Sequence, residues 1–143
     1  MQLPTDPIIE ISKAREKFFG CAGRMLLPSR ETLEALLSAV PAGQLATSEQ
    51  LRDGLAERFQ VEAVCPVTTR KSLQVIASDP ASSAPFWRLV KNSGELMALR
   101  PGGAAGQAAR LEAEGHVVEQ DRRVPRVQAY RGSLVNPKEV WKG

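Results

Sequence analysis

At 143 residues the chain has the length of one domain with small appendages, and 43% hydrophobic but only 5% aromatic content leaves most packing to small aliphatic side chains. No apolar run approaches the ~20 residues of a membrane helix, the N-terminal residues lack the charged-then-apolar order of a secretory leader, and Cys21 and Cys65 alone make no disulfide framework; a soluble cytoplasmic protein is expected. The net charge of +3 hides an uneven spread: residues 1–65 carry 7 Lys and Arg against 9 Asp and Glu, residues 66–143 carry 12 against 7, and a basic half is the long-range footprint of a nucleic-acid binder.

Residues 1–27 begin with a polar, proline-marked lead and continue through Ile8, Ile9, Ile11, Phe18 and Phe19. They read as an arm or helix packing on the body, broken between Gly20 and Gly23. Pro28-Ser29-Arg30-Glu31 opens the clearest helix, with Leu33, Leu36, Leu37 and Val40 at i, i+3, i+4 and i+7. Pro41-Ala42-Gly43 ends it. Gln44-Leu45-Ala46 is extended, and Thr47-Ser48-Glu49-Gln50 has the form of a capping box. Leu51, Leu55 and Phe59 then mark a helix over 48–59. After a short connection, Cys65-Pro66-Val67-Thr68-Thr69 opens a third helix over 67–78, with Pro66 suited to its first turn and Leu73, Ile76 and Ala77 facing inward.

Two short helices with a brief connection, the second basic on its outer side, form a helix-turn-helix pattern. Arg70, Lys71, Gln74 and Ser78 share the face opposite Leu73 and Ile76, and such groups reach phosphates and base edges. A solvated helix face has the same pattern. Downstream lie Pro85-Phe86-Trp87-Arg88-Leu89-Val90, a turn at Asn92-Ser93-Gly94, and a loop, Leu99 to Gly103, that leads to a helix near 104–114 stopped by Gly115. Val117-Val118 and Val127 to Tyr130 read as strands around a basic loop, and Asn136 to Gly143 as a last helical turn docked by Trp141.

The chemical inventory is thin. The one histidine, His116, and two cysteines have no metal-ligand spacing, no phosphate-binding loop motif occurs, and no cofactor is expected. Cys65 ahead of a helix is the one candidate nucleophile; as a small buried hydrophobe it has the commoner role of such a residue.

In order and spacing, Pro41-Ala-Gly-Gln-Leu-Ala-Thr47, Thr69-Arg70-Lys71-Ser72-Leu73, Pro85-Phe86-Trp87-Arg88-Leu89-Val90, Ser93-Gly94, Pro101-Gly102-Gly103 and Leu111-Glu112-Ala113-Glu114-Gly115 resemble the DNA-binding domain of the alkylguanine-DNA alkyltransferases and the alkyltransferase-like proteins. The resemblance covers about half the chain. It implies a mainly α fold, a winged helix-turn-helix domain over 28–120 with short strands, flanked by the N-terminal arm (1–27) and a basic C-terminal extension (121–143). In the repair enzymes the cysteine after the proline accepts the alkyl group; Phe86 stands there, and Trp87 stands for the following histidine. Neither ring can accept an alkyl group or generate a thiolate, so no enzyme of that kind is expected.

The resemblance further implies a partner, double-stranded DNA carrying a modified or distorted base, and signalling to a repair protein. Arg70 matches the arginine that enters the base stack, Arg88 that of the acceptor loop, and Glu114 the glutamate that bonds the family's histidine, a partnership expected to lapse with Trp87. Ser48 replaces a tyrosine that helps turn the base out. The expected DNA contacts are Thr47, Ser48, Arg70, Lys71, Gln74, Arg88 and Ser93, with Phe86 and Trp87 lining a base pocket. The alternative is a winged-helix scaffold for protein–protein interaction or transcriptional regulation without base flipping, in which Phe86 and Trp87 are packed core or an interface anchor.

Overall fold

The computed structural model describes residues 1–142; Gly143, the last residue of the expected extension, lies outside them. The N-terminal segment is built on strands rather than on one helix. β1 (Ile8–Glu10) pairs antiparallel with β2 (Arg24–Leu26), after a helical corner ending in α1 (Glu16–Phe19). Gly20 and Gly23, at φ 74° and 113°, make the reversal between α1 and β2. β2 also pairs in parallel with β4 (Ala63–Val64), which places it between the other two strands. Leu26 is fully buried in the central core, so this segment is part of the body.

The helices follow the local code. α2 (Arg30–Ser38) is capped by the Ser29 hydroxyl, which accepts from the Thr32 N–H, and it buries Leu33, Leu36 and Leu37. β3 (Ala46–Thr47) leads into α3 (Ser48–Phe59), whose start is a complete capping box: the Thr47 hydroxyl accepts from the Gln50 N–H at 3.1 Å, and the Gln50 carbonyl oxygen accepts from the Thr47 N–H at 3.0 Å. α4 (Pro66–Ser78) carries Pro66 in its first turn and buries Leu73 and Ile76. Its cap is Cys65, whose thiol accepts from the Thr68 N–H; Thr68 and Thr69 lie inside the helix.

β5 (Leu89–Val90) pairs in parallel with β3, so the two segments that flank α3 and follow α4 meet at their buried residues. α5 (Gly103–Ala113) ends ahead of Gly115 at φ 95°. β6 (Val118–Glu119) and β7 (Arg126–Val127) form an antiparallel pair. The strand expected over 127–130 is cut to Val127, because Ala129 takes a left-handed conformation, φ 54°, and opens a turn.

The last segment also packs into the core. Leu134 bridges Leu45, Val135 is buried, and α6 (Pro137–Val140) delivers Trp141 into the central cluster, where its indole N–H donates to the Leu36 carbonyl at 2.9 Å. The expectation of a mainly α fold is therefore corrected: among the described residues, six helices share the domain with seven short strands in three small sheets. Five of these strands are two residues long, too short to leave an alternation in the sequence that marks them.

Candidate nucleic-acid interface

α3, the short β4 connection and α4 present the basic surface. Arg70 and Lys71 on α4 and Arg52 on α3 are exposed, and none of the three enters an ion pair among the described residues. Val67 and Val75 flank the α4 cations as exposed apolar side chains. The face therefore combines free guanidinium and ammonium groups with apolar contacts, a mix suited to a phosphate-lined groove. Among the described residues, no helix is long and apolar enough to cross a membrane.

Other expected contacts are committed elsewhere. Thr47 is buried and its hydroxyl is the α3 cap, so it does not reach a phosphate. Thr47→Ala should cost about 1 kcal/mol of stability and leave any nucleic-acid binding by this face unchanged at temperatures where the protein stays folded; a thermal melt and a binding titration on one sample check both. Gln74 is clamped to the loop ahead of α5: its amide donates to the Arg100 carbonyl at 2.5 Å and accepts from the Arg100 N–H at 3.2 Å. That two-way bond removes its base-reading groups and makes it a strut. Ser93 is exposed and donates to Glu95 at 2.8 Å within its own turn. Ser48 is half-buried at the start of α3, and its hydroxyl lies 3.4 Å from the Asn92 side-chain oxygen.

Arg88 is an internal tie. Its guanidinium grips Glu114 through two nitrogens, at 2.7 and 3.0 Å, and donates to the Val40 carbonyl at 2.7 Å. Both side chains are only 15% exposed, which takes Arg88 off the set of DNA contacts. The Glu114 carboxyl is held below its ordinary pKa, first by the Arg88 hydrogen bonds and then, against the opposing effect of burial, by the Trp87 indole and the Gly43 N–H. The partnership expected to lapse at Trp87 persists in altered form: the Trp87 indole N–H donates to Glu114 at 3.1 Å. An indole supplies one N–H donor and no basic nitrogen, so it keeps the geometric tie and not the acid–base chemistry.

Phe86 and Trp87 are half-buried and meet edge to face at 5.5 Å between ring centres. Phe86 packs on the central cluster and Trp87 on a second cluster around Val90, Leu96 and Leu111. The Arg110 guanidinium lies 4.4 Å from the centre of the Trp87 ring. Each ring thus packs on a core cluster, on the other ring and near a cation, and keeps part of its surface exposed. A cavity does open nearby, between α3 and α4, and its lining includes Ser48, Arg52, Arg70, Leu89 and Met97 but neither Phe86 nor Trp87. The structure brings Phe86 and Trp87 together as expected, but this cavity is not formed on them.

Buried Gln107 has a role that the sequence does not signal: its amide donates to the Trp87 and Leu89 carbonyls at 3.0 and 2.9 Å, and it accepts from the Ala98 N–H. A glutamine within an alanine-rich helix carries no mark of such a network. Arg52 was legible, one turn after Ser48 on the same helix. Burial raises the pKa of the Cys65 thiol, but the Thr68 hydroxyl, the backbone N–H groups of Thr68 and Val67, and the charge of Arg15 outweigh it and set the pKa below the ordinary value. The pKa of His116, just beyond the end of α5, is lowered chiefly by burial, against the opposing charge of Glu114, and among the described residues no three metal-binding side chains cluster.

No protein-family model matches the sequence, and a search of curated proteins found no match. Among solved structures the chain is similar to the crystal structure of S. pombe Atl1 in complex with damaged DNA containing O6-carboxymethylguanine. The TM-score is 0.53 at 18% identity, and the match covers 73% of this chain and 94% of that one. The two chains share a fold.

Proposed function

We propose that this chain is a non-catalytic DNA-binding protein of the alkyltransferase-like kind, a winged helix-turn-helix that docks on double-stranded DNA through α3 and α4 and prefers a modified or distorted duplex. The observation that carries the reading is the set of unpaired cations, Arg52, Arg70 and Lys71, on two adjacent helices of a fold shared with a protein crystallised on damaged DNA. Phe86 at the position of the acceptor cysteine, with its ring packed on the core, supports binding without alkyl transfer. Such a protein would mark a lesion for repair proteins rather than reverse it.

The test is a titration of matched and O6-alkylguanine-containing duplexes at several salt concentrations. Three phosphate contacts would give a slope of log affinity against log salt of about −3, and the modified duplex should bind more tightly at every salt. Equal affinity for both duplexes removes the preference for modified DNA. Affinity that does not fall with salt removes DNA binding itself and favours a scaffold that grips a protein partner.

A further inference from the structure

The cavity between α3 and α4 has a volume of ≈ 170 Å³. Its floor is apolar: Leu51, Leu55, Leu73 and Leu89 are buried there, with half-buried Met97 beside them. Its rim holds Arg52 from α3 and Arg70 from α4, both exposed and free of ion pairs among the described residues. No acidic side chain belongs to the lining. An aliphatic cavity of about 150 Å³ takes up a benzene-sized molecule, which sets the size of the guest. A wholly apolar guest would leave both guanidinium groups solvated and unused, whereas a carboxylate is the planar anion their donor fork fits.

We propose that this cavity is a binding site for a small organic carboxylate with an aromatic or branched aliphatic body. The body lies on the leucine floor, and the carboxylate faces Arg52 and Arg70. A larger guest exceeds the volume; an amine or a dication meets two like charges at the mouth. The site shares Arg52 and Arg70 with the proposed DNA face but does not require DNA binding, since it rests on the cavity, its apolar floor and the charge at its rim.

The test uses the DNA-free full chain with labelled Leu and Met methyl groups, titrated with benzoate, with uncharged benzyl alcohol, and with 9-ethylguanine, followed by NMR. Benzoate should give saturable shifts at the Leu51, Leu55, Leu73 and Met97 methyls and bind more tightly than benzyl alcohol. Arg52→Ala and Arg70→Ala, both surface changes that spare the core, should each weaken benzoate about tenfold while moving benzyl alcohol less than about twofold. Absence of saturable methyl shifts with benzoate overturns the proposal, as does an unchanged benzoate affinity in both variants. Saturable shifts with 9-ethylguanine and none with benzoate also overturn it, and identify a cavity that holds a nucleobase.

Discussion

Arg88→Ala should unfold about 10 °C below the parent chain, a loss of about 3 kcal/mol. Removal of the guanidinium leaves the Glu114 carboxylate, 15% exposed, with only the Trp87 indole and the Gly43 N–H for company, and strips the Val40 carbonyl of its donor. An uncompensated, largely buried charge is the costly part, more than the worth of the lost bridge. Arg88→Lys should recover less than half of the loss, because an ammonium cannot make the two-nitrogen grip that Arg88 makes on Glu114.

The acid side of the stability profile carries the same signature. The Glu114 pKa is depressed in the folded protein, mainly by Arg88, so its contribution is full above the ordinary glutamate value and is lost as pH falls through the depressed one. In Arg88→Ala that depression is largely gone. The variant should therefore differ most from the parent near neutral pH and converge toward it in acid. Melting curves recorded from neutral pH down to about pH 3 check this; parallel profiles at all pH values would show that Glu114 does not draw its stabilisation from Arg88.

The second large effect concerns binding. The double variant Arg70→Ala, Lys71→Ala should weaken DNA binding by about 10- to 100-fold at moderate salt and flatten the slope of log affinity against log salt by about 2, one counterion per lost contact. Both side chains are exposed and free of ion pairs among the described residues, so the melting temperature should stay within a degree or two. Gln74→Ala is the informative contrast. Its amide is bonded to Arg100, so its loss should loosen the loop ahead of α5 with no change in the salt slope. A fall in slope for Gln74→Ala, or none for the double variant, would show that α4 does not meet the phosphates as proposed.

Much of the candidate face is legible in the order of residues alone. Leu33, Leu36, Leu37 and Val40 mark α2, the Thr47–Gln50 box starts α3, and Pro66 starts α4, because periodicity and capping link residues no more than one or two turns apart. The exposed cation Lys71 follows from the same wheel, being opposite Leu73 and Ile76, whereas Arg70 sits at the edge of the buried face, one turn from Leu73, with which it lines the cavity. The order of the proline, aromatic and glycine segments also points to the fold that the structural comparison shows. By itself, then, the amino-acid order determined where α2 to α5 lie and which faces α2 to α4 bury, and that no thiol stands at the Phe86 position.

Tertiary structure alone decided which polar groups remain free to act. Gln74 and Arg100 are 26 residues apart, Arg88 and Glu114 also 26, Trp87 and Glu114 27, and Trp141 and Leu36 105. Each bond either withdraws a side chain from the candidate face or joins a segment that looked like an appendage to the core. The cavity between α3 and α4 belongs with them, since its floor draws Leu51, Leu73 and Leu89 from three separate segments. Local propensity acts through neighbours along the chain, whereas a side chain's spare donor or acceptor is claimed by whatever group packing brings within about 3 Å. That is why the segment from Pro85 to Val90 packs Phe86 and Trp87 against the two clusters and reaches the cavity between α3 and α4 only through Leu89.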